Sequence, residues 1–365
     1  MEKISIVIPM IHEYPSIYGT VNSLQAELLD CEYDWEIIVA ENGTVDKNTP
    51  NAFTGPKALY RTLMSHGKLK YCFDDRQCGP VSRNTGARLA TGDYVMFMDA
   101  HTSPGKNTIA PLATFLKDNE QVGCVQGLTA WSYYDYTRMG AYYELFHPHD
   151  KQIAGGGGPT LASHMHGHYM TPGHVQGPWR KLSLDKKPFM CVMGSQAYTM
   201  YRRDEFLKLG GYFDEARFYP HPEGYMPLKV WMSGKQVYTH PLSWHLHGMY
   251  PRQYSQSKEE TQAKIDEYGG LSWADHGMRN VFMVALILGD VKWLQICVQA
   301  FKDRKTKETL VKVAQSAINT VENSGEYDRL HNLAEMSLDE VLINARKKKI
   351  PGMEHWFNKI GPDPK

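Results

Sequence analysis

The segment Tyr94–His101 reads YVMFMDAH and joins an apolar run to two polar side chains. A run of this kind is typical of a parallel strand that is covered on both faces. Asp99 and His101 follow it two residues apart, so an extended chain points both side chains the same way. Ligands of open α/β sheets bind at the carboxyl ends of the strands. The segment therefore predicts that Asp99 and His101 share a divalent cation. Taken by itself, the segment is equally consistent with a strand that ends in a solvated aspartate and a histidine in a turn.

Strand and helix patterns alternate on both sides of this segment. Further strands are predicted over residues 4–8, 35–40, 68–73 and 189–200, and helices over 18–29, 58–64 and 82–90. This βα repetition predicts an α/β fold with a mostly parallel sheet flanked by helices. Helical spacing then recurs over 263–268, 278–288, 291–301, 310–321 and 338–346. We expect one domain over residues 1–252 and a helical C-terminal region over 253–365.

Composition narrows the class of protein. The formal net charge of the 365 residues is zero, so there is no global basic field of the kind that attracts nucleic acid, although residues 346–349 form a short basic run. The longest apolar stretch, Val281–Leu288, is far shorter than the roughly 20 residues of a membrane span. Six cysteines without CxxC spacing are typical of reduced thiols. We therefore expect a cytoplasmic protein without a membrane anchor.

A long irregular segment, residues 147–188, interrupts the periodic pattern. It contains four consecutive glycines at 155–158 and the histidines His164, His166, His168 and His174. The histidine spacing matches no standard zinc site. Segments of this length without periodicity are usually functional or disordered, so we expect a flexible loop that closes over a ligand.

Five motifs follow one another between residues 1 and 250. They read ISIVIP over 4–9, EIIVAENGTVD over 36–46, GPVSRNTGA over 79–87, GDYVMFMDAH over 92–101, and GGYFDE over 210–215, the last preceded by GS at 194–195 and YRR at 201–203. In this order they resemble glycosyltransferases of the GT-A fold, in the family-2-like superfamily, and the last of them resembles the acceptor-side block of that superfamily. The Asp-Ala-His triplet is also locally similar to that of polypeptide N-acetylgalactosaminyltransferases.

The resemblance implies a nucleotide-sugar site with a divalent metal. The nucleotide contacts that it implies are Pro9, Glu41, Asp74, Arg83, Asp99 and Ala100. Mg²⁺ or Mn²⁺ would stabilise a diphosphate leaving group, and an imidazole ligand favours Mn²⁺. We expect a third protein ligand beside Asp99 and His101, with His247 as the first choice and His245 as the alternative.

The resemblance also implies a general base. Glu223, eight residues before Trp231, occupies the position of the family's catalytic carboxylate, which would take the proton of the acceptor hydroxyl. The chain departs from the family pattern at Pro222, where Glu is usual, and at Glu41, where Asp is usual. We expect inversion of the anomeric centre with Glu223 as base. Retention is the alternative, because the Asp-Ala-His triplet resembles that of a retaining group.

These features together predict a metal-dependent glycosyltransferase that moves a sugar from a nucleotide sugar, first of all a UDP-sugar, to a hydroxyl acceptor. Glycans, proteins, small molecules and hydroxylated bases in phage DNA all stay open as acceptors. A nucleotidyltransferase usually has a Gly-rich basic loop after the first strand, which residues 10–15 lack. A non-catalytic carbohydrate- or nucleotide-binding module stays open because of the departure at Pro222.

Overall fold

The computed structural model describes residues 1–14, 16–45, 49–54, 58–131, 139–140, 187–192, 197–218, 224–247, 258–302, 305–348 and 350. The strands of these residues are β1 (Lys3–Met10), β2 (Asp34–Asn42), β3 (Leu69–Asp74), β4 (Tyr94–Phe97), β5 (Thr102–Pro104), β6 (Val122–Trp131), β7 (Met139–Gly140), β8 (Phe189–Met190), β9 (Thr199–Arg202) and β10 (Gln236–His247). They form one mixed sheet in the order β3-β2-β1-β4-β9-β6-β10-β5, with β7 beside β6 and β8 beside β10. The prediction of an α/β fold with a mostly parallel sheet is confirmed.

The strand order reverses at β1. β1 pairs in parallel with β2 on one side and with β4 on the other. The chain runs outward from β1 to β2 and β3, and then returns to β4 on the opposite side of β1. Ligands of open α/β sheets bind outside the carboxyl ends of the strands at such a reversal. The residues that follow Met10 and Phe97 lie at this point.

Helices flank the sheet and form the C-terminal region. They are α1 (Ser16–Leu28), α2 (Thr49–Ala52), α3 (Arg61–Ser65), α4 (Gly79–Leu89), α5 (Ala110–Asp118), α6 (Arg203–Lys208), α7 (Tyr225–Met232), α8 (Lys258–Glu267), α9 (Trp273–Leu288), α10 (Val291–Phe301), α11 (Lys307–Ser324), α12 (Glu326–Leu333) and α13 (Leu338–Lys347). Ser272, Asp290 and Thr306 cap α9, α10 and α11 by accepting backbone N–H groups of the first turn. The predicted helical C-terminal region is therefore present.

The predicted strand over residues 189–200 is wrong as a single element. Phe189–Met190 pairs with β10, whereas Thr199–Arg202 pairs with β4 and β6. Tyr198 has a φ of 57°, in the left-handed region, so the chain turns immediately before β9. Apolar residues at strand spacing occur in both pieces, and for this reason the sequence pattern did not separate them. The sequence analysis also left several elements unpredicted, namely β5, β6, β7, β10, α2, α5, α6 and α12.

The C-terminal helices share a core with the sheet. Val7 and Phe97 of the sheet belong to one buried cluster with Val281, Phe282 and Leu342 of the helical region. The proposed domain boundary at residues 252 and 253 stays a prediction, because it lies outside the described residues.

Several other predictions also lie outside the described residues. These are the base Glu223, the four histidines between 164 and 174, and the flexible segment 147–188 except for its last two residues. Within the described ranges, no helix combines the length and the apolar character that crossing a membrane requires.

Candidate active site

Asp99, His101 and His247 meet at the point where the strand order reverses. Each offers one ligand atom, and these atoms all lie within 4.8 Å of one another. Asp99 and His101 follow β4 directly, whereas His247 is the last residue of β10, 148 residues beyond Asp99. The short strand β5 brings it there, because β5 follows His101 and pairs His247 with Thr102. The group predicted from YVMFMDAH is thus completed by a distant strand.

The carboxylate of Asp99 has two positively polarised neighbours. One oxygen lies 2.6 Å from a guanidinium nitrogen of Arg83, and the other lies 3.1 Å from Nε2 of His247. Burial alone would raise the pKa of Asp99, but the hydrogen bond with His247 and the charge of Arg83 hold that pKa well below its usual range. Asp99 is therefore an anion that faces both a cation and an imidazole.

Hydrogen bonds from α1 hold the turn that carries Asp99 and His101. Thr20 donates to the carbonyl of Ala100 at 2.9 Å and accepts from the backbone N–H of Thr102 at 3.2 Å. The hydroxyl of Thr102 in turn donates to the carbonyl of Asp99 at 2.7 Å. Buried backbone groups need such partners, so these bonds keep the turn in one conformation.

A carboxylate that the sequence analysis missed contacts His101. Oε2 of Glu13 lies 2.5 Å from Nδ1 of His101, and both side chains are at least nine-tenths buried. Glu13 lies between β1 and α1, in a segment that the motifs did not single out. The only feature of the sequence that could have indicated Glu13 is the presence of two polar residues, His12 and Glu13, just after the first strand.

His245 lies outside this group of three ligands. It is fully buried, and its ring stacks on Tyr198 with 4.7 Å between the centroids. Burial, and then the neighbouring His247, lower the pKa of His245 to about 3, so its ring is neutral near pH 7. The structure thus separates the two histidines that the sequence left as alternatives.

The residues predicted to contact the nucleotide occupy the same edge of the sheet. Glu41 and Asp74 lie at the carboxyl ends of β2 and β3, and Arg83 lies on α4. Glu41 is buried and accepts hydrogen bonds from Thr49 at 2.8 Å and from Tyr71 at 2.6 Å. Pro9 and Ala100 are buried in β1 and in the turn after β4.

Asp74 is held by an arginine two residues further along the chain. Both of its oxygens accept hydrogen bonds from the Arg76 guanidinium, at 2.8 and 2.7 Å. Burial would raise the pKa of Asp74, but the hydrogen bonds from Arg76 and Thr85 outweigh it and lower that pKa. The carboxylates of Glu41 and Asp74 are therefore both engaged within the protein.

The predicted acceptor-side block is anchored to α4. Asn84 accepts the backbone N–H of Tyr212 at 2.8 Å and donates to its carbonyl at 2.5 Å. Its amide nitrogen also donates to Asp214 at 2.8 Å. Arg83 and Asn84, adjacent on one helix, thus connect the Asp99–His101 turn with the GGYFDE motif.

A family comparison agrees with this arrangement. The family model described as "Glycosyl transferase family 2" matches residues 5–208, which is more than half of the chain. The chain belongs to glycosyl transferase family 2. The match begins within β1, includes β2 to β4, Arg83 and the Asp99–His101 turn, and ends before α7 and β10.

Two curated relatives of this family 2 chain match over part of its length. A Drosophila melanogaster protein, provisionally named polypeptide N-acetylgalactosaminyltransferase 13, is 25% identical over 171 residues, 44% of this chain and 26% of the relative. An uncharacterized glycosyltransferase of Rickettsia conorii is 25% identical over 146 residues, 40% of this chain and 21% of the relative. The matched part thus spans about a quarter of each relative.

A solved structure supports the fold of the family 2 chain. The structure of GalNAc-T7 with UDP, GalNAc and Mn²⁺ superposes with a TM-score of 0.51 at 17% identity, over 88% of this chain and 58% of that one. The architecture is accordingly the GT-A-like α/β fold, as the motifs predicted.

Proposed function

We propose that this protein is a metal-dependent glycosyltransferase that moves a sugar from a nucleotide sugar to a hydroxyl acceptor. The observation that carries the proposal is the meeting of Asp99, His101 and His247, with all three ligand atoms within 4.8 Å. Family membership supports the class of reaction, and the position at the strand-order reversal supports nucleotide binding there.

The three side chains fit a divalent metal. One carboxylate and two imidazoles form a mixed oxygen and nitrogen donor set, which suits Mn²⁺ better than Mg²⁺. His101 and His247 are nearly fully buried, whereas the side chain of Asp99 is 21% exposed, so the group opens to solvent on the Asp99 side. A bound divalent ion would neutralise the diphosphate leaving group as the glycosidic bond breaks.

The residues around the group have separate roles in this proposal. Arg83, whose guanidinium holds Asp99, supplies a fixed positive charge beside the leaving group, and arginine suits oxyanions. UDP should accordingly bind Arg83→Ala more weakly than wild type in calorimetry. Glu41 and Asp74 would lie beside the nucleotide at the carboxyl ends of β2 and β3.

The donor and metal can be tested together. We expect purified protein, freed of metal with EDTA, to release no nucleoside diphosphate from a panel of UDP- and GDP-sugars. Added Mn²⁺ should restore the release of nucleoside diphosphate best, and Mg²⁺ should restore it less well. Zn²⁺ and Fe²⁺ should be added in parallel, because they also bind carboxylate and imidazole ligands. Asp99→Asn should lower the restored rate by at least about 100-fold, because it removes the anionic ligand. Full activity of Asp99→Asn in EDTA would contradict the proposal.

The proposed stereochemistry is inversion, with Glu223 as the general base. Its support is the family position of Glu223, shortly before α7, and the carboxylate chemistry that deprotonation of a hydroxyl requires. An NMR spectrum of the anomeric proton in fresh product distinguishes this from retention. Glycans, proteins, small molecules and hydroxylated DNA bases are the acceptor classes to screen once a donor is known.

A further inference from the structure

Glu13 is a buried carboxylate that contacts a proposed metal ligand but is not one of the three ligands. Its Oε2 atom lies 2.5 Å from Nδ1 of His101, and only 10% of its side chain is exposed. Burying a carboxylate costs free energy unless it is paired, and His101 is a partner inside the site. The position of Glu13 therefore calls for an explanation in terms of His101.

The backbone before Glu13 is bent in a way that turns this side chain toward β4. His12 has a φ of 48°, in the left-handed region that residues with a Cβ rarely adopt. The His12 ring bonds to the hydroxyl of Thr44, after β2, at 2.6 Å, which holds the turn. The carbonyl of Glu13 then accepts from the N–H of Ile17 at 3.0 Å and so continues into α1. Unfavourable backbone conformations that the surroundings hold in place are concentrated at functional sites.

The contact with Glu13 determines which nitrogen of His101 carries the proton and which nitrogen would bind a metal. A carboxylate at Nδ1 is an acceptor, so the ring carries its proton there and presents the lone pair of Nε2. Histidines that bind metals usually donate their other N–H to a carboxylate or carbonyl, which fixes the ring and raises its basicity. Glu13 and His101 have this arrangement.

We propose that Glu13 is the positioning residue of the metal site: it holds the His101 ring and keeps its proton on Nδ1, so that Nε2 is available to the cation. The inference rests on the proposed function, because it requires a metal at Asp99, His101 and His247. It adds the segment that leads into α1 to the site, beside α1 itself, which holds the Ala100 carbonyl through Thr20.

Metal affinity is the first measurement. Titrating Mn²⁺ into the full chain, alone and with UDP, and following free Mn²⁺ by electron paramagnetic resonance gives its Kd. We expect Glu13→Ala to weaken binding about 10- to 100-fold. Glu13→Gln should weaken it less, because an amide oxygen still accepts from Nδ1–H. Equal affinities of the wild type and both variants would overturn the inference.

The protonation of the ring is a second measurement that a merely structural role would not change. In ¹⁵N-labelled, metal-free protein at pH 8, the His101 ring should show the Nδ1–H tautomer. Glu13→Ala should shift the population toward Nε2–H, the commoner form of free histidine. An unchanged tautomer in Glu13→Ala would show that Glu13 does not orient the ring.

Glu36→Gln is the matched control. Glu36 is also a buried carboxylate, but it lies at the amino end of β2 and accepts from Ser5 at 2.7 Å. The Glu36→Gln variant should have a lower melting temperature than the wild type and the same Mn²⁺ affinity. If Glu36→Gln does not fold, Glu27→Gln replaces it as the control. This variant removes a carboxylate that accepts the backbone N–H of Asn107.

The two proposals fail in different ways. If wild type binds no Mn²⁺, or if Asp99→Asn binds it equally well, the proposed metal site is wrong. If wild type binds Mn²⁺ through Asp99 and the Glu13 variants bind it equally well, only the role of Glu13 is wrong.

Discussion

At the residue scale, the side chains of the proposed site differ in their exposure and in their contacts. Asp99 faces solvent in part and touches Arg83 and His247, whereas His101 is buried against Glu13. The proposed base Glu223 precedes α7 by two residues. Metal binding and proton transfer are thus assigned to different parts of the chain, so they can be tested by separate substitutions.

Glu223→Gln tests the base because it keeps the size of the side chain and removes its basicity. We expect turnover with donor and acceptor to fall by about 10²–10⁴-fold, since general-base catalysis typically contributes that factor. Donor affinity should stay nearly unchanged, because the change acts on the acceptor proton. Initial rates and calorimetry with UDP measure the two quantities. Wild-type turnover in Glu223→Gln would show that Glu223 is not the general base and would favour retention.

At the element scale, β10 distinguishes two histidines that are two residues apart. His247 pairs with Thr102 of β5 and joins Asp99, whereas His245 pairs with Pro104 and stacks on Tyr198. The register between β10 and β5 therefore decides which imidazole lies beside Asp99 and His101.

The two histidines form a matched pair for mutation. His247→Ala should weaken Mn²⁺ binding at least about 10-fold, because it removes a proposed ligand. His245→Phe keeps an aromatic ring against Tyr198 and should leave the Mn²⁺ affinity within about threefold. The same Mn²⁺ titration measures the affinity of both variants. If His245→Phe bound Mn²⁺ more weakly and His247→Ala bound it as the wild type does, the assignment of the two histidines would be reversed.

At the scale of the whole molecule, a buried ion pair joins the helical C-terminal region to α7. Lys229, fully buried, donates to Glu326 of α12 at 2.8 Å, and Tyr225 donates to the same oxygen at 2.7 Å. Lys229 also donates to the carbonyl of Gly211 at 2.9 Å. One network thus connects α12, α7 and the GGYFDE motif, and the C-terminal helices contribute no residue to the Asp99, His101 and His247 group among the described residues.

Breaking this pair should destabilise the protein. Glu326→Gln leaves the buried Lys229 charge without its carboxylate, and removing one partner of a buried pair costs about 3–5 kcal/mol in the free energy of unfolding. Asp339→Asn is the control, because its pair with Lys292 is exposed and such pairs are worth about 0–1 kcal/mol. Urea denaturation measures both. Equal shifts of the two midpoints would show that the buried pair is not an anchor.

The sequence by itself determined the class of the fold, the Asp99–His101 pair and the helical C-terminal region. These features depend on short-range periodicity: an apolar run that ends in Asp99 predicts a strand end, and helical spacing predicts helices such as Val291–Phe301, which the structure confirms residue for residue. Five ordered motifs were enough to indicate the family.

The tertiary structure decided what depends on pairing between distant segments. The grouping of His247, and not His245, with Asp99 and His101 depended on the β10–β5 register. The contact of Glu13 with His101 depended on the turn at His12 and on the parallel pairing of β1 with β4. The division of residues 189–200 into two strands likewise depended on their partners. Strand pairing is stabilised by contacts between residues that are far apart in the chain. A local sequence pattern therefore does not indicate which distant strand is the partner.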